Sequence, residues 1–228
     1  MSRSGGTVGF SFGAPSIARP ESAPCCSRPS NARRSRLIRA RFVCVLLTVF
    51  AMAGTTLAAE AHRPWATPLT QTGVPNLHRV TTNLFRSAQP TAAGMKSIEA
   101  LGIKTLISLR AFHDDTDEVE STQLKTERIR FNTWHAEDED VVRFLKLVTA
   151  TNNGPILVHC QHGSDRSGTM IAIYRMAVQG WPKDEAIKEM TGGDFGYHTM
   201  WKNLIEYLEK LDVTALRKKA GISFPPAK

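Results

Sequence analysis

The sequence predicts an α/β domain with a mostly parallel central sheet flanked by helices. Short apolar runs of strand length, Lys104–Leu109 and Pro155–His159, alternate with segments whose apolar residues recur at helical spacing. A strand followed by a helix, repeated along the chain, is the order that places parallel strands side by side and covers both faces of the sheet. At 228 residues the chain has room for one such domain and an appendage.

The appendage comes first. Residues 1–32 are rich in Ser, Gly, Pro and Arg and carry no hydrophobic period, so they read as disordered. The basic run Arg33–Arg41 follows, then an apolar stretch from Phe42 to Ala59 without a charged residue, ending in small residues. Basic, apolar and small-residue segments in that order are the layout of a secretory signal, with cleavage after Ala59 or Ala61. The alternative is a retained signal anchor, since the 18 residues of the stretch are nearly enough to span a bilayer. Residues 1–61 are therefore assigned to a disordered presequence plus signal, residues 62–73 to a linker, and residues 74–228 to the folded domain. The expected location is outside the cytoplasm, in the periplasm, or tethered to the inner membrane if the signal stays.

Dividing the charge at Ala61 alters its meaning. Residues 1–61 hold 8 Lys and Arg against 2 Asp and Glu, whereas the remainder holds 21 against 19. The basic excess belongs mostly to targeting, and a nucleic-acid partner is excluded. Cys25, Cys26 and Cys44 also fall in the presequence, leaving Cys160 as the single thiol of the mature part. A lone thiol in an oxidising compartment cannot make an internal disulfide and points to a nucleophile.

Within the domain, Leu77–Val80 and Leu84–Arg86 read as a short hairpin. Thr91 caps a helix carrying Met95, Ile98 and Leu101 that stops at Gly102. Lys104–Leu109 is a buried strand, Asp114–Glu127 a polar surface segment and Ile129–Trp134 a strand. Asp140–Val148 is a helix with Val141, Phe144, Leu145 and Val148 on one face. Asn152-Asn153-Gly154 turns the chain into the strand Pro155–His159, and helices follow at Thr169–Val178, Lys183–Met190 and Met200–Leu211.

Between the last strand and the first of these helices lies His159-Cys160-Gln161-His162-Gly163-Ser164-Asp165-Arg166-Ser167-Gly168. A tight loop from a strand end into a helix N-terminus turns successive backbone N–H groups on one point, and the helix dipole favours an anion there. The same field stabilises a thiolate at Cys160. Arg166 supplies a planar fork for two equatorial oxygens of a phosphoryl group. Ser167 can donate its hydroxyl to the sulfur as leaving group, and Gly163 and Gly168 allow close backbone approach. Gln161, His162, Gly163, Ser164, Asp165 and Arg166 form the expected substrate cup. His159 is expected to orient the loop.

His-Cys-x-x-Gly-x-x-Arg-Ser-Gly resembles the motif of the cysteine-dependent protein-tyrosine and dual-specificity phosphatases, most closely those of compact exported bacterial enzymes. The resemblance runs from about Leu84 to Leu211. It includes Phe85-Arg86-Ser87-Ala88-Gln89-Pro90 and Tyr174-Arg175 with Gly180-Trp181. It implies the family's parallel-stranded α/β fold, hydrolysis through a phosphocysteine without metal or cofactor, and a phosphorylated protein as partner. Phosphotyrosine is the expected substrate, with phosphoserine and phosphothreonine beside it. The cup holds no Lys or Arg besides Arg166, which speaks against inositol phosphates and phosphoinositides. An inositol phosphate or phosphoinositide phosphatase stays as an alternative, with sulfur transfer, arsenate reduction and a catalytically dead phosphate-binding module.

The leaving oxygen needs a proton, usually from a carboxylic acid on a mobile loop. In the compact subgroup that acid lies at the spacing Asp138 has here, 22 residues before Cys160. Asp140 is the alternative, among the run Glu137-Asp138-Glu139-Asp140, whose charge also suits a helix N-terminus. Arg86 either reaches the site or makes a structural ion pair. Asp165 fixes Arg166 or a backbone amide, His198 is a surface histidine or borders the pocket, and Trp181 and Trp201 pack between helices.

Overall fold

The computed structural model describes residues 63–223. The presequence and signal expected at residues 1–61 lie outside the described residues. Among the described residues no helix is long and apolar enough to cross a membrane.

Six strands form one sheet in the order β1-β2-β3-β6-β4-β5. They are β1 (Thr67–Pro68), β2 (His78–Arg79), β3 (Leu84–Ser87), β4 (Thr105–Ser108), β5 (Lys125–Arg128) and β6 (Ile156–His159). Strands β3, β6, β4 and β5 are parallel, and β1 and β2 extend the sheet antiparallel. The helices are α1 (Ala92–Ala100), α2 (Thr116–Val119), α3 (Asp138–Thr149), α4 (Asp165–Ala177), α5 (Lys183–Gly192), α6 (Lys202–Lys210) and α7 (Val213–Ala220).

Successive strand residues point to opposite faces, and the core divides accordingly. Phe85, Leu106 and Leu157 join Met95 and Ile98 of α1 on one face. Leu84, Ile107, Ile156 and Val158 join Phe144 and Leu145 of α3 and the apolar residues of α4 on the other. Helix α4 runs through that second layer with 11 of its 13 residues buried, so it shows no single apolar stripe. The register sets Ser87 and Ser108 on either side of His159. The segments leaving β3, β4 and β6 therefore emerge together at the carboxyl edge of the sheet, the edge where such sheets bind ligands.

Several expectations are corrected. Residues 62–73 are not a linker throughout: Thr67 and Pro68 pair with Arg79 and His78, and the Ala66 N–H donates to Glu189 at 2.7 Å. Those backbone groups are satisfied inside the domain, which begins ahead of Val74. The strand expected at Ile129–Trp134 lies instead at Lys125–Arg128. This is the sheet edge, where one side is free and polar residues are tolerated; Ile129 and Phe131 are fully buried just beyond it. Helix α4 starts at Asp165 rather than Thr169. A further helix, α7, is capped by Asp212, which accepts from the Ala215 N–H at 2.9 Å, and closed by Gly221 at φ +73°.

Candidate active site

Cys160 leaves the end of β6 with 2% of its surface exposed, and the Gly163 N–H donates to its Sγ at 3.2 Å. Gly163 has φ +74°, and a Cβ there would lie 2.6 Å from the backbone N of Ala88 and the carbonyl carbon of Ser87. Both conformation and space require glycine. At Gly168 a Cβ would meet Met190 Cγ at 3.0 Å and the Arg86 guanidinium at 3.4 Å, so the first turn of α4 sits hard against α5 and β3.

Four successive loop carbonyls are each held from outside the turn. Gln161 O accepts from the Gln89 N–H at 3.3 Å, and His162 O accepts from Asn76 Nδ2 at 2.9 Å. Gly163 O and Ser164 O accept from Arg86 Nη2 at 2.6 and 3.2 Å. A peptide's N–H points opposite to its carbonyl, so fixing these oxygens outward leaves the following amides to face the side where Cys160 sits. That is a nest for an anion.

Arg86 settles its own alternative: it reaches the loop rather than a structural acid. It is 1% exposed and stacks 3.9 Å above the Phe195 ring. Burial lowers its pKa to about 10, opposed by the neighbouring Cys160, Glu189 and Asp165, so it stays cationic at neutral pH. His159 is fully buried, and its Nε2 lies 3.0 Å from Asp115 Oδ2. The loop-orienting role expected of His159 thus runs through a carboxylate that the sequence reading left in a surface segment. Asp115 is 5% exposed and also accepts from Gln89 Nε2 at 2.7 Å. Burial works to raise its pKa, but the hydrogen bonds and charge of His159, with Gln89, prevail and hold it at about 2.

Arg166 is half-buried, and its Nη1 donates to Leu109 O at 3.4 Å. Arg166 and Gln161 line a cleft of about 160 Å³ together with Arg110, His113, Phe131 and Thr133. No carboxylate stands among the residues lining it, and the wall suits an anion. Ser167 is fully buried, with its hydroxyl unpartnered in the described residues. The other loop side chains turn away from the cleft. Ser164 Oγ donates to Phe195 O at 2.8 Å, and Asp165 accepts from the backbone N–H of His198 at 2.9 Å and lies 2.8 Å from its ring Nδ1. Asp165 therefore holds a backbone amide and an imidazole, not Arg166. His162 is exposed and faces the His198 ring.

Asp138 is not brought to Cys160. Its carboxylate accepts from Tyr207 Oη at 3.0 Å and from Lys219 Nζ at 3.4 Å, tying α3 to α6 and α7. It lines a different hollow, with Glu139, Val142, Arg143, Lys146 and Lys219. Asp140 is half-buried and its pKa is raised, first by burial and then by the charge of Glu137. Glu137 stands exposed just ahead of α3, three residues beyond the cleft-lining Trp134, with the exposed His135 ring 3.8 Å from its carboxylate.

Known proteins agree with this geometry. The family described as DSP-PTPase phosphatase fused to NAD+ kinase matches residues 69–199. The dual specificity protein phosphatase TpbA of Pseudomonas aeruginosa is 35% identical over 178 residues, covering 75% of this chain and 80% of TpbA. The crystal structure of P. aeruginosa TpbA matches with a TM-score of 0.63 at 31% identity, over 69% of this chain and 96% of that one. A Cys-to-Ser variant of TpbA in complex with phosphotyrosine matches at 0.64 and 29%, over 72% and 99%. With the cysteine loop, its outward-held carbonyls and the arginine-lined cleft on one sheet edge, the chain belongs to the DSP-PTPase family and is a phosphatase.

Proposed function

We propose that this phosphatase removes the phosphoryl group from phosphotyrosine on exported proteins, and from phosphoserine and phosphothreonine beside it, through a phosphocysteine and without a metal. The observation that carries the reading is the set of four loop carbonyls held outward by Gln89, Asn76 and Arg86, which presents the amides to a phosphate above Cys160 Sγ. The Cys160 thiolate attacks phosphorus as the bond to the leaving oxygen breaks. Arg166 and the loop amides hold the equatorial oxygens, which carry charge throughout. Water then attacks the phosphocysteine, and Ser167 donates its hydroxyl toward the departing sulfur.

For Asp138 to protonate the leaving oxygen it would have to leave Tyr207 and Lys219. We assign the acid instead to Glu137, which is exposed and follows the cleft-lining segment in the chain. Support for export is the presequence layout of residues 33–61; finding the protein in periplasm, with a mature N-terminus near residue 60 or 62, checks it.

The defining test is turnover of p-nitrophenyl phosphate in EDTA by the wild type and C160S. Turnover by the wild type, absent from C160S, is expected; equal rates in the two sink the reading. The Arg110 and His113 wall favours one second reading, a substrate with further anionic groups such as a highly phosphorylated inositol. If kcat/KM for such an inositol exceeds that for a phosphotyrosine peptide, and Arg110→Ala reverses the order, this second reading replaces the first.

A further inference from the structure

Two groups of side chains lie close enough to share a cation among the described residues: His113, Asp115 and Glu118, and His162, Asp165 and His198. In the first, Asp115 is already committed to His159 and Gln89, on which the loop depends. In the second, His162 and Asp165 belong to the loop, but their side chains turn to His198 and do not line the cleft. One ligand atom from each of these three residues lies within 4.8 Å of the other two.

This second group is held in place. Asp165 is 6% exposed at the start of α4, and both of its oxygens engage His198. The segment carrying His198 is stitched to the phosphate loop, since Phe195 O accepts from both Ser164 Oγ and Asn76 Nδ2. His162 projects from the same loop, its ring centroid 5.4 Å from that of His198. A buried carboxylate thus sits between two imidazoles whose outer edges meet solvent.

Two imidazole nitrogens and one carboxylate oxygen form a borderline set that suits zinc better than magnesium or calcium. Zinc bonds of about 2.0–2.2 Å set ligand atoms roughly 3.4 Å apart, so the widest present separation, at most 4.8 Å, must shorten while the Asp165–His198 pair, at 2.8 Å, opens slightly. Rotation of the two exposed rings supplies that. Three protein ligands leave the fourth position open to water or an anion.

We propose that His162, Asp165 and His198 form a zinc site on the rim of the phosphate loop through which zinc reversibly inhibits the enzyme; the inhibition, though not the binding, rests on the phosphatase reading. Ligation ties the His162 side chain to the first turn of α4, across Gly163 and Ser164. It thereby strains the amides that must converge on phosphate. The open zinc position also draws phosphate oxygens to the rim, out of line with Cys160 Sγ. The site is distinct from the cysteine and needs no thiolate.

The test is equilibrium dialysis and calorimetric titration with zinc sulfate, on the full chain carrying C25S, C26S and C44S so that Cys160 is the remaining thiol. One zinc per chain is expected, retained in C160S and in H113Q and weakened by at least about 100-fold in H198Q and H162Q. In p-nitrophenyl phosphate assays H198Q should match the wild type in EDTA yet resist zinc, and EDTA should restore the zinc-treated wild type. Melting curves in EDTA show whether each variant is folded, and two separate histidine variants guard against one failing. Loss of zinc in C160S, or full affinity in folded H198Q and H162Q, overturns the site. Stoichiometric zinc without any fall in turnover overturns the inhibition. Absence of turnover in EDTA removes the phosphatase reading and leaves the zinc titration standing.

Discussion

Arg86 carries a full positive charge with 1% of its surface exposed, and two of its nitrogens, Nε and Nη1, have no partner among the described residues. A buried guanidinium so incompletely paired is a poor source of stability. What it supplies is the donor to Gly163 O and Ser164 O and a cation beneath Cys160. Arg86→Met should therefore lower kcat by about 10²-fold, the size of loss seen when one preorganised donor is removed. Arg86→Lys should fail to rescue it, because an ammonium has no flat face to stack on Phe195 while donating to both carbonyls. Steady-state kinetics on p-nitrophenyl phosphate checks both. Asp115 gives a pH-dependent counterpart. Its folded pKa of about 2 lies below the ordinary carboxylate value, so its contribution is complete above about pH 4 and disappears as pH falls toward 2. Asp115→Asn should flatten that limb of an acid-unfolding curve and reduce activity at neutral pH by loosening His159. The acid is decided at the same scale. Glu137→Gln should slow alkyl phosphates far more than nitrophenyl phosphate, whose leaving group needs little protonation, whereas Asp138→Asn should chiefly lower the melting temperature by freeing Tyr207 and Lys219.

At the level of elements, the central strands and the first helix were legible because their sequences speak locally. Thr91 caps α1 by accepting from the Gly94 N–H at 3.1 Å, and the apolar run into His159 became the fully buried β6. The edge strand β5 was not legible. Lys125–Arg128 has no apolar pattern because one side of it faces no neighbour, while the apolar Ile129 and Phe131 next to it fill the core without joining the ladder. Helix α7 had readable signals in Asp212 and Gly221 on either side of it. In the site, Cys160, Arg166 and the two glycines follow from spacing alone. Asp115, Gln89 and Asn76 do not, since they reach the loop from distant positions that only the register of β3, β4 and β6 brings together. Asp138 turns to Tyr207 and Lys219, since a spacing along the chain does not say which way a carboxylate at the start of α3 points. Gly163→Ala tests the element as a unit: its φ of +74° and the contact with Ser87 and Ala88 forbid a side chain, so the loop must deform. Loss of turnover to background with the fold retained, by kinetics and circular dichroism, is the expected result.

For the molecule as a whole, residues 62–73 are tied into the domain through the α4–α5 pair. Arg175 and Glu189 form a buried pair between α4 and α5, joined by two contacts of 2.7 Å, and Arg175 stacks 4.3 Å above Trp181. Glu189 Oε1 also accepts the Ala66 N–H, and Arg175 Nη2 reaches Pro64 O at 3.4 Å. Strand β1 adds its pairing with β2, whose partner β3 carries Arg86 to the loop. A chain beginning at Val74 would lose these donors and acceptors and expose the pair to water from one side. Each buried polar group left unpaired costs about 1–3 kcal/mol, which for a domain of this size lowers the melting temperature by roughly 3–10 °C. A chain beginning at residue 62 should keep the full melting temperature. If the two truncations melt alike, residues 62–73 contribute nothing to the fold; if the shorter one also loses kcat, the route from Glu189 through α4 and β3 to the phosphate loop is the means by which the N-terminal strand supports catalysis.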